Sequence, residues 1–162
     1  MATWLREPGS LTARCQRACQ KFGIRLLSYR KERSLLLGGS RGLVRAREVL
    51  LECDGEAVIF AHTEMSTTPR GRLTGWLRRL GTRSLGSLLF SHPGFEREPL
   101  EFCRLDERHT LFQRAVAATR PCDCKYLWAR RSLHRLGRQE VLVTEVFLPA
   151  LLALNDKRAR RL

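Results

Sequence analysis

Apolar and polar positions change period several times along the chain, and those changes divide it into elements. Leu11, Cys15, Ala18, Cys19 and Phe22 recur at helical spacing behind Ser10, whose hydroxyl suits an N-cap, and Gly23 is the expected stop. Ile24 to Tyr29 reads as a strand, followed by a turn at Gly38-Gly39-Ser40-Arg41-Gly42 that lacks the G-x-x-x-x-G-K-[ST] pattern of a phosphate loop. Thr67-Thr68-Pro69 supplies a cap and a first-turn proline for Leu73, Trp76, Leu77 and Leu80, with Gly81 as the end. Ser84 then caps a second short helix carrying Leu85, Leu88, Leu89 and Phe90, which His92-Pro93-Gly94 stops. Two helices joined so tightly form a helical hairpin suited to covering a sheet or a pocket. Leu100 to Leu105 reads as a strand, and Asp106 is placed to cap a helix bearing Leu111, Phe112, Ala115 and Val116. After a loop from Thr119 to Lys125, the runs Tyr126 to Leu136 and Glu140 to Pro149 form a hairpin around Gly137-Arg138.

The strongest hairpin signal is Arg47 to Glu64, where two runs rich in Val, Leu, Ile and Phe flank Asp54-Gly55, a dipeptide that accepts the positive φ angles of a type I′ turn. With that turn as the loop, Cys53 pairs with Glu56, Leu51 with Val58, Val49 with Phe60 and Arg47 with His62. Strand alternation then projects Arg47, Val49, Leu51, Val58, Phe60 and His62 from one face. An arginine on so apolar a face either snorkels to water at the strand's start or anchors an anion in a pocket. Strands that pair with their sequence neighbours, with helices inserted between pairs, predict an α+β fold: one domain over residues 1–162, with about six antiparallel strands covered by helices. Residues 157–162 are expected to be a flexible basic tail.

At 162 residues the chain suits one core, and 43% hydrophobic content is ordinary for a globular protein. No run approaches the roughly 20 apolar residues of a membrane span, and the first residues lack a secretory or lipidation signal, so a cytoplasmic location is expected. A net charge of +14, from 30 Lys and Arg against 16 Asp and Glu, raises nucleic acid as a partner. The basic residues are scattered, however, apart from Lys157 to Arg161, and no nucleic-acid-binding motif is present. Steering a small dianion into a cleft is the other use for such charge. The six cysteines, Cys15, Cys19, Cys53, Cys103, Cys122 and Cys124, have spacings unlike structural zinc knuckles, so they are expected to be reduced packing residues, with no metal.

Within Val141 to Pro149, Val141, Val143, Glu145 and Phe147 share one face, and Leu142, Thr144, Val146 and Leu148 the other. Glu145 thus has apolar neighbours on either count, and leaving it charged and unpaired costs several kcal/mol. It is either one half of a buried salt bridge or a group held for use. Paired with Arg47 on an otherwise apolar sheet face, it describes a small-molecule site in which the apolar area takes a ring and the charges orient it.

Four blocks in order, R-E-V-L-L-E-C-D-G-E, L-G-T-R-S-L-G-S-L-L-F, L-W-A-R-R-S-L-H-R-L and L-V-T-E-V-F-L-P, resemble the chorismate-pyruvate lyase family of ubiquinone biosynthesis. The resemblance covers nearly the whole chain. It implies an antiparallel sheet with helical flaps over a buried site, and cofactor-free conversion of chorismate to 4-hydroxybenzoate and pyruvate. Carried over residue by residue, it implies that Arg47 meets the ring carboxylate together with the backbone N–H of Leu85, and that Glu145 lies near the ring hydroxyl as hydrogen-bond acceptor or base. Leu11, at a position that is Met in the family pattern, would help close the pocket through its backbone. Ala61 stands where the family often has Gly near the ligand, and its methyl group would narrow the site. The segment Asp106 to Lys125 is longer than in typical members.

The enolpyruvyl carboxylate needs a cation of its own, for which Arg130, Arg131 and His62 are candidates; alternation lets only one of the two arginines face a given pocket. The expected partners are chorismate and 4-hydroxybenzoate, with no specific nucleic acid, and the chain is expected to act as a monomer. Two competing classes are a non-catalytic ligand-sensing domain of the related transcription-regulator fold and an adaptor for polyanions built on the basic excess.

Overall fold

The computed structural model describes residues 1–35, 42–66, 75–76, 79–81, 83–91, 94–119 and 122–159. Among the described residues, seven strands form one antiparallel sheet: β1 (Phe22–Arg33), β2 (Leu43–Cys53), β3 (Glu56–Ser66), β4 (Glu96–Arg97), β5 (Glu101–Asp106), β6 (Tyr126–Leu136) and β7 (Gln139–Phe147). Their order across the sheet is β1-β2-β3-β7-β6-β4, with β5 also on β6. The expected α+β class holds. The extra strand arises because the edge beside β6 is broken in two: Arg97 pairs with His134 and Glu101 with Arg131, so the edge chain carries one residue more than β6 across this gap. Pro99, which has no N–H to give, lies in that break.

Both sequence-predicted hairpins form. Asp54 and Gly55 take φ of 52° and 86°, as a type I′ turn requires, and Gly137 turns the second hairpin with φ of 58°. The first hairpin departs from its expected register after two pairs. Cys53 faces Glu56 and Glu52 faces Ala57, but Val58 is an extra residue, so Leu51 pairs with Ile59, Val49 with Ala61, Glu48 with His62 and Arg47 with Thr63. Both Val58 and Ile59 are buried in one cluster with Val49, Leu51 and Phe147. This β-bulge inverts the facing of everything beyond it on β3. Ala61 therefore joins Arg47, and His62 leaves it for the opposite face together with Phe60.

Helices cover the face that carries Arg47. They are α1 (Ala2–Leu5), α2 (Leu11–Ala18), α3 (Leu85–Ser91) and α5 (Ala150–Ala159). Trp4, Leu11, Cys15, Leu151 and Leu154 pack with Val49, Leu51, Ile59 and Phe147, while Leu80, Leu85 and Leu89 pack on Met65 and Val141. Ser10 caps α2 as expected, accepting from the Ala13 N–H at 3.4 Å, but that helix ends at Ala18, four residues short of Phe22, which already lies in β1; Gly23 is a strand residue. Strand β1 is accordingly twice the predicted length. Gly81 has φ of 52°, the left-handed conformation of a helix terminator, whereas the proposed cap at Thr67-Thr68-Pro69, the glycine run from Gly38 to Arg41 and the stop at His92-Pro93 lie outside the described residues.

The long connection after β5 forms α4 (Thr110–Ala117) on the opposite face, where Leu111, Phe112 and Ala115 cover Leu50, Phe60, Leu127, Ala129 and Val146. Its cap is His109, whose Nδ1 accepts from the Leu111 N–H at 3.1 Å, rather than Asp106, which ends β5 and accepts from the Arg108 N–H. In the following loop Cys122 and Cys124 are joined as a disulfide, where the sequence reading expected thiols; their Cα atoms are 5.3 Å apart, inside the range a bridge spans. Cys15, Cys19, Cys53 and Cys103 are free. No helix among the described residues is long and apolar enough to cross a membrane.

Candidate active site

Because paired residues of an antiparallel sheet project to the same side, the register lays out the floor of the site as two cross-strand rows. One runs Arg47, Thr63, Val143, Ser132 over β2, β3, β7 and β6; the next runs Val49, Ala61, Glu145, Arg130. All eight line one cavity, whose far wall adds Arg97 and His134 and whose roof is Ser10, Leu11 and Thr12 from α2 with Arg83, Ser84, Leu85, Gly86 and Leu89 around the start of α3. The bulge at Val58 is what puts the small Ala61, instead of the imidazole of His62, under this roof.

Arg47 is 4% exposed, and its Nη2 donates to the carbonyls of Gly81 at 2.8 Å and Arg83 at 3.1 Å, just ahead of α3. No carboxylate pairs with it among the described residues, and burial draws its guanidinium below its usual pKa, with Tyr29 acting the other way. A desolvated cation that meets only carbonyl dipoles is strongly receptive to an anion. Tyr29 pairs with Arg47 across β1 and β2, and its hydroxyl is buried without a hydrogen-bond partner among the described residues.

Glu145 sits one row away with its side chain 16% exposed, and its Oε2 accepts from Arg130 Nε at 2.6 Å. Arg130, 2% exposed, also donates through Nη1 to the carbonyls of Glu7 at 2.5 Å and Leu5 at 3.4 Å. The guanidinium thus ties the N-terminal segment to the site through Oε2, and Oε1 has no hydrogen-bond partner among the described residues. Of the three cations considered for a second carboxylate, Arg130 is therefore engaged with Glu145 and two carbonyls. Arg131 projects from the opposite face and pairs with Glu101.

His62 is completely buried on that opposite face, with Nδ1 3.0 Å from Glu48 Oε1 and Nε2 3.2 Å from Glu64 Oε1. Burial lowers its pKa, but its hydrogen bonds to Glu48 and Glu64 outweigh that and raise it. Arg114 of α4 completes the cluster, its Nη1 reaching Glu32 at 2.9 Å and Glu48 at 2.7 Å. Glu32, Glu48 and His62 have the chemistry and closeness of metal ligands, their donor atoms lying within 4.8 Å of one another. Arg114 already supplies the cation at that place, so the cluster joins the inserted helix to the sheet.

The sequence reading missed Arg97, Ser132 and His134. Ser132 and His134 follow Arg130 at every second position of β6, an alternation legible once Arg130 is assigned to the pocket; Ser132 Oγ lies 3.1 Å from His134 Nε2. Burial and the nearby Arg97 push His134 down to about pKa 4, so it is a neutral imidazole at pH 7. The roof includes a close approach: a Cβ built on Gly86 would lie 2.7 Å from Ser10 Oγ, the cap of α2, so residue 86 fits there because it has no side chain.

Residues 1–157 match the family model described as chorismate lyase. A relative from Dechloromonas aromatica (strain RCB), named a probable chorismate pyruvate-lyase, is 58% identical over 160 residues, which span 96% of this chain and 90% of that protein. A second of the same name, from Methylobacillus flagellatus, is 43% identical over 158 residues, covering 93% and 88% of the two chains. Among solved structures, the effector domain of PhnF from Mycobacterium smegmatis shares the fold at a TM-score of 0.60 and 14% identity, over 88% of this chain and 90% of that one. The ligand-binding domain of a GntR-family transcriptional regulator from Bordetella bronchiseptica does so at 0.52 and 14%, over 79% and 86%.

Proposed function

The chain belongs to the chorismate lyase family, and from that premise we propose that it converts chorismate to 4-hydroxybenzoate and pyruvate, the first committed step of ubiquinone biosynthesis. On this reading it works as a monomeric, single-domain, cytoplasmic enzyme that needs no cofactor. The observation that carries the reading is Arg47: a buried cation with no carboxylate partner among the described residues, on the same cavity floor as the Glu145 carboxylate.

Chorismate carries a ring carboxylate, a ring hydroxyl and an enolpyruvyl ether on the carbon beside the hydroxyl. Breaking the ether C–O bond and removing the hydrogen from the carbinol carbon yields an aromatic ring and the enol of pyruvate, so aromatisation drives the reaction. The protein's part is to hold the reactive conformer and keep water out. Arg47 and the Leu85 N–H take the ring carboxylate, Val49, Ala61 and Val143 take the ring, and Glu145 Oε1 engages the hydroxyl while Arg130 holds Oε2. Leu11 and Gly86 close the site from above.

The test is incubation of purified, EDTA-treated protein with chorismate, following both products against a folded Glu145→Ala control. Equal amounts of 4-hydroxybenzoate and pyruvate, lost in the control, are expected. Binding of 4-hydroxybenzoate without turnover would overturn the enzymatic reading in favour of a sensor.

A further inference from the structure

A dicarboxylate substrate needs a second cationic pole, and the cations considered above do not provide it. We infer that Arg97 is the binding residue for the carboxylate of the enolpyruvyl group, with the Ser132–His134 pair beside it, so that the cavity has two cationic ends and selects substrate over product at the Arg97 end. This rests on the proposed lyase reaction.

Four observations place Arg97 in that role. It comes from β4, pairs with His134 and shares that residue's cavity-facing side, and it lines the cavity. It is anchored rather than free to swing, since its Nη1 donates to the Pro8 carbonyl at 2.5 Å in the segment that leads into α2. Burial disfavours its charge and so does the nearby Arg130, while Glu145 favours it. His134 adds hydrogen-bonding capacity at this end without charge, because it is neutral.

The two arginines also stand at opposite ends of the cavity floor. Arg47 on β2 and Arg97 on β4 are separated by β3, β7 and β6, hence by four strand spacings of about 4.8 Å, or roughly 19 Å between backbones. Arg97 also stands one cavity-facing step further along the strands than Arg47, in the row of Met65, Val141 and His134. The two anchors therefore suit substituents at different positions of a ring.

The discriminating experiment compares Arg97→Gln and Arg97→Lys with wild type, measuring KM and kcat/KM for chorismate and, separately, the Kd of 4-hydroxybenzoate, which has lost the enolpyruvyl arm. Expected is a rise in KM and a fall in kcat/KM of tenfold or more, on the order typical of a lost charged contact, in Arg97→Gln. Product affinity should stay within about twofold of wild type, and Arg97→Lys should recover part of the loss. A parallel loss of product affinity, or unchanged chorismate kinetics in both variants, would overturn the assignment. Circular dichroism checks that each variant is folded; should Arg97→Gln fail to fold, the lysine variant alone must show the substrate-selective defect. A wild-type protein that does not turn over chorismate would instead remove the premise, and the inference with it.

Discussion

Replacing Arg47 by Met sets two free energies against each other. The side chain is 4% exposed and gives two hydrogen bonds to the Gly81 and Arg83 carbonyls. Bonds from a charged donor contribute about 1.5–3 kcal/mol each. Opposing them is the penalty of holding an ion away from water, several kcal/mol even after relaxation. Met fills similar space with an apolar stem and carries neither term, so the unliganded variant should melt within a few degrees of wild type. Ligand binding has no such compensation. Loss of a preorganised charged anchor costs about 2–4 kcal/mol, which at 1.4 kcal/mol per factor of ten is roughly 30- to 700-fold in affinity for 4-hydroxybenzoate. Calorimetric titration with 4-hydroxybenzoate and with its neutral amide separates charge from shape: the amide should bind both proteins alike. If Arg47→Met lost more than about 2 kcal/mol of stability while its affinity for 4-hydroxybenzoate fell less than threefold, Arg47 would be a structural tie to the roof and the argument would be refuted.

Three further outcomes are expected. Gly86→Ala should destabilise by about 1–3 kcal/mol, despite the better helix propensity of Ala, because its methyl group would meet Ser10 Oγ at 2.7 Å; faster product release in stopped flow would place the effect at the α2–α3 contact. For His62, whose folded pKa is raised above 6.5, the stabilisation is full below pH 6.5 and disappears as pH rises through the folded value, so urea midpoints should decline on the alkaline side and His62→Gln should flatten that decline. Glu48 behaves oppositely: burial raises its pKa but hydrogen bonds from His62, Arg114 and Ser28 bring it to about 2, so its contribution is present above pH 4.5 and is lost as pH falls toward 2. Arg114→Leu should remove part of this acid-side dependence and about 1–3 kcal/mol of stability, a figure kept low because the arginine is 27% exposed.

Much of the scaffold was legible from period and turn chemistry. Both hairpins, the α+β class and the short helix at Leu85 follow from side-chain period and from residues that tolerate positive φ, which are local properties; that Arg47 and Glu145 share one floor depends on the non-local pairing of β3 with β7. Helix limits were less legible: Phe22 completes an apolar stripe with Leu11 and Cys15, yet it is claimed by β1, where pairing with Cys53 extends the sheet. The cap of α4 passed from Asp106 to His109 for the same reason, since Asp106 is drawn into pairing with Tyr126.

The sequence by itself determined which residues alternate and where the chain must turn, because these depend on a side-chain period of two and on backbone sterics. Tertiary structure alone decided which faces meet. One inserted residue, Val58, is accommodated because Val58 and Ile59 both find apolar neighbours in the core under α1, α2 and α5. With a period of two, that single residue exchanges Ala61 for His62 at the site and moves the imidazole into a salt-bridge cluster on the far side. The break in the edge at Pro99 similarly brings Arg97 to the cavity wall from a strand of two residues, too short to leave any period in the sequence.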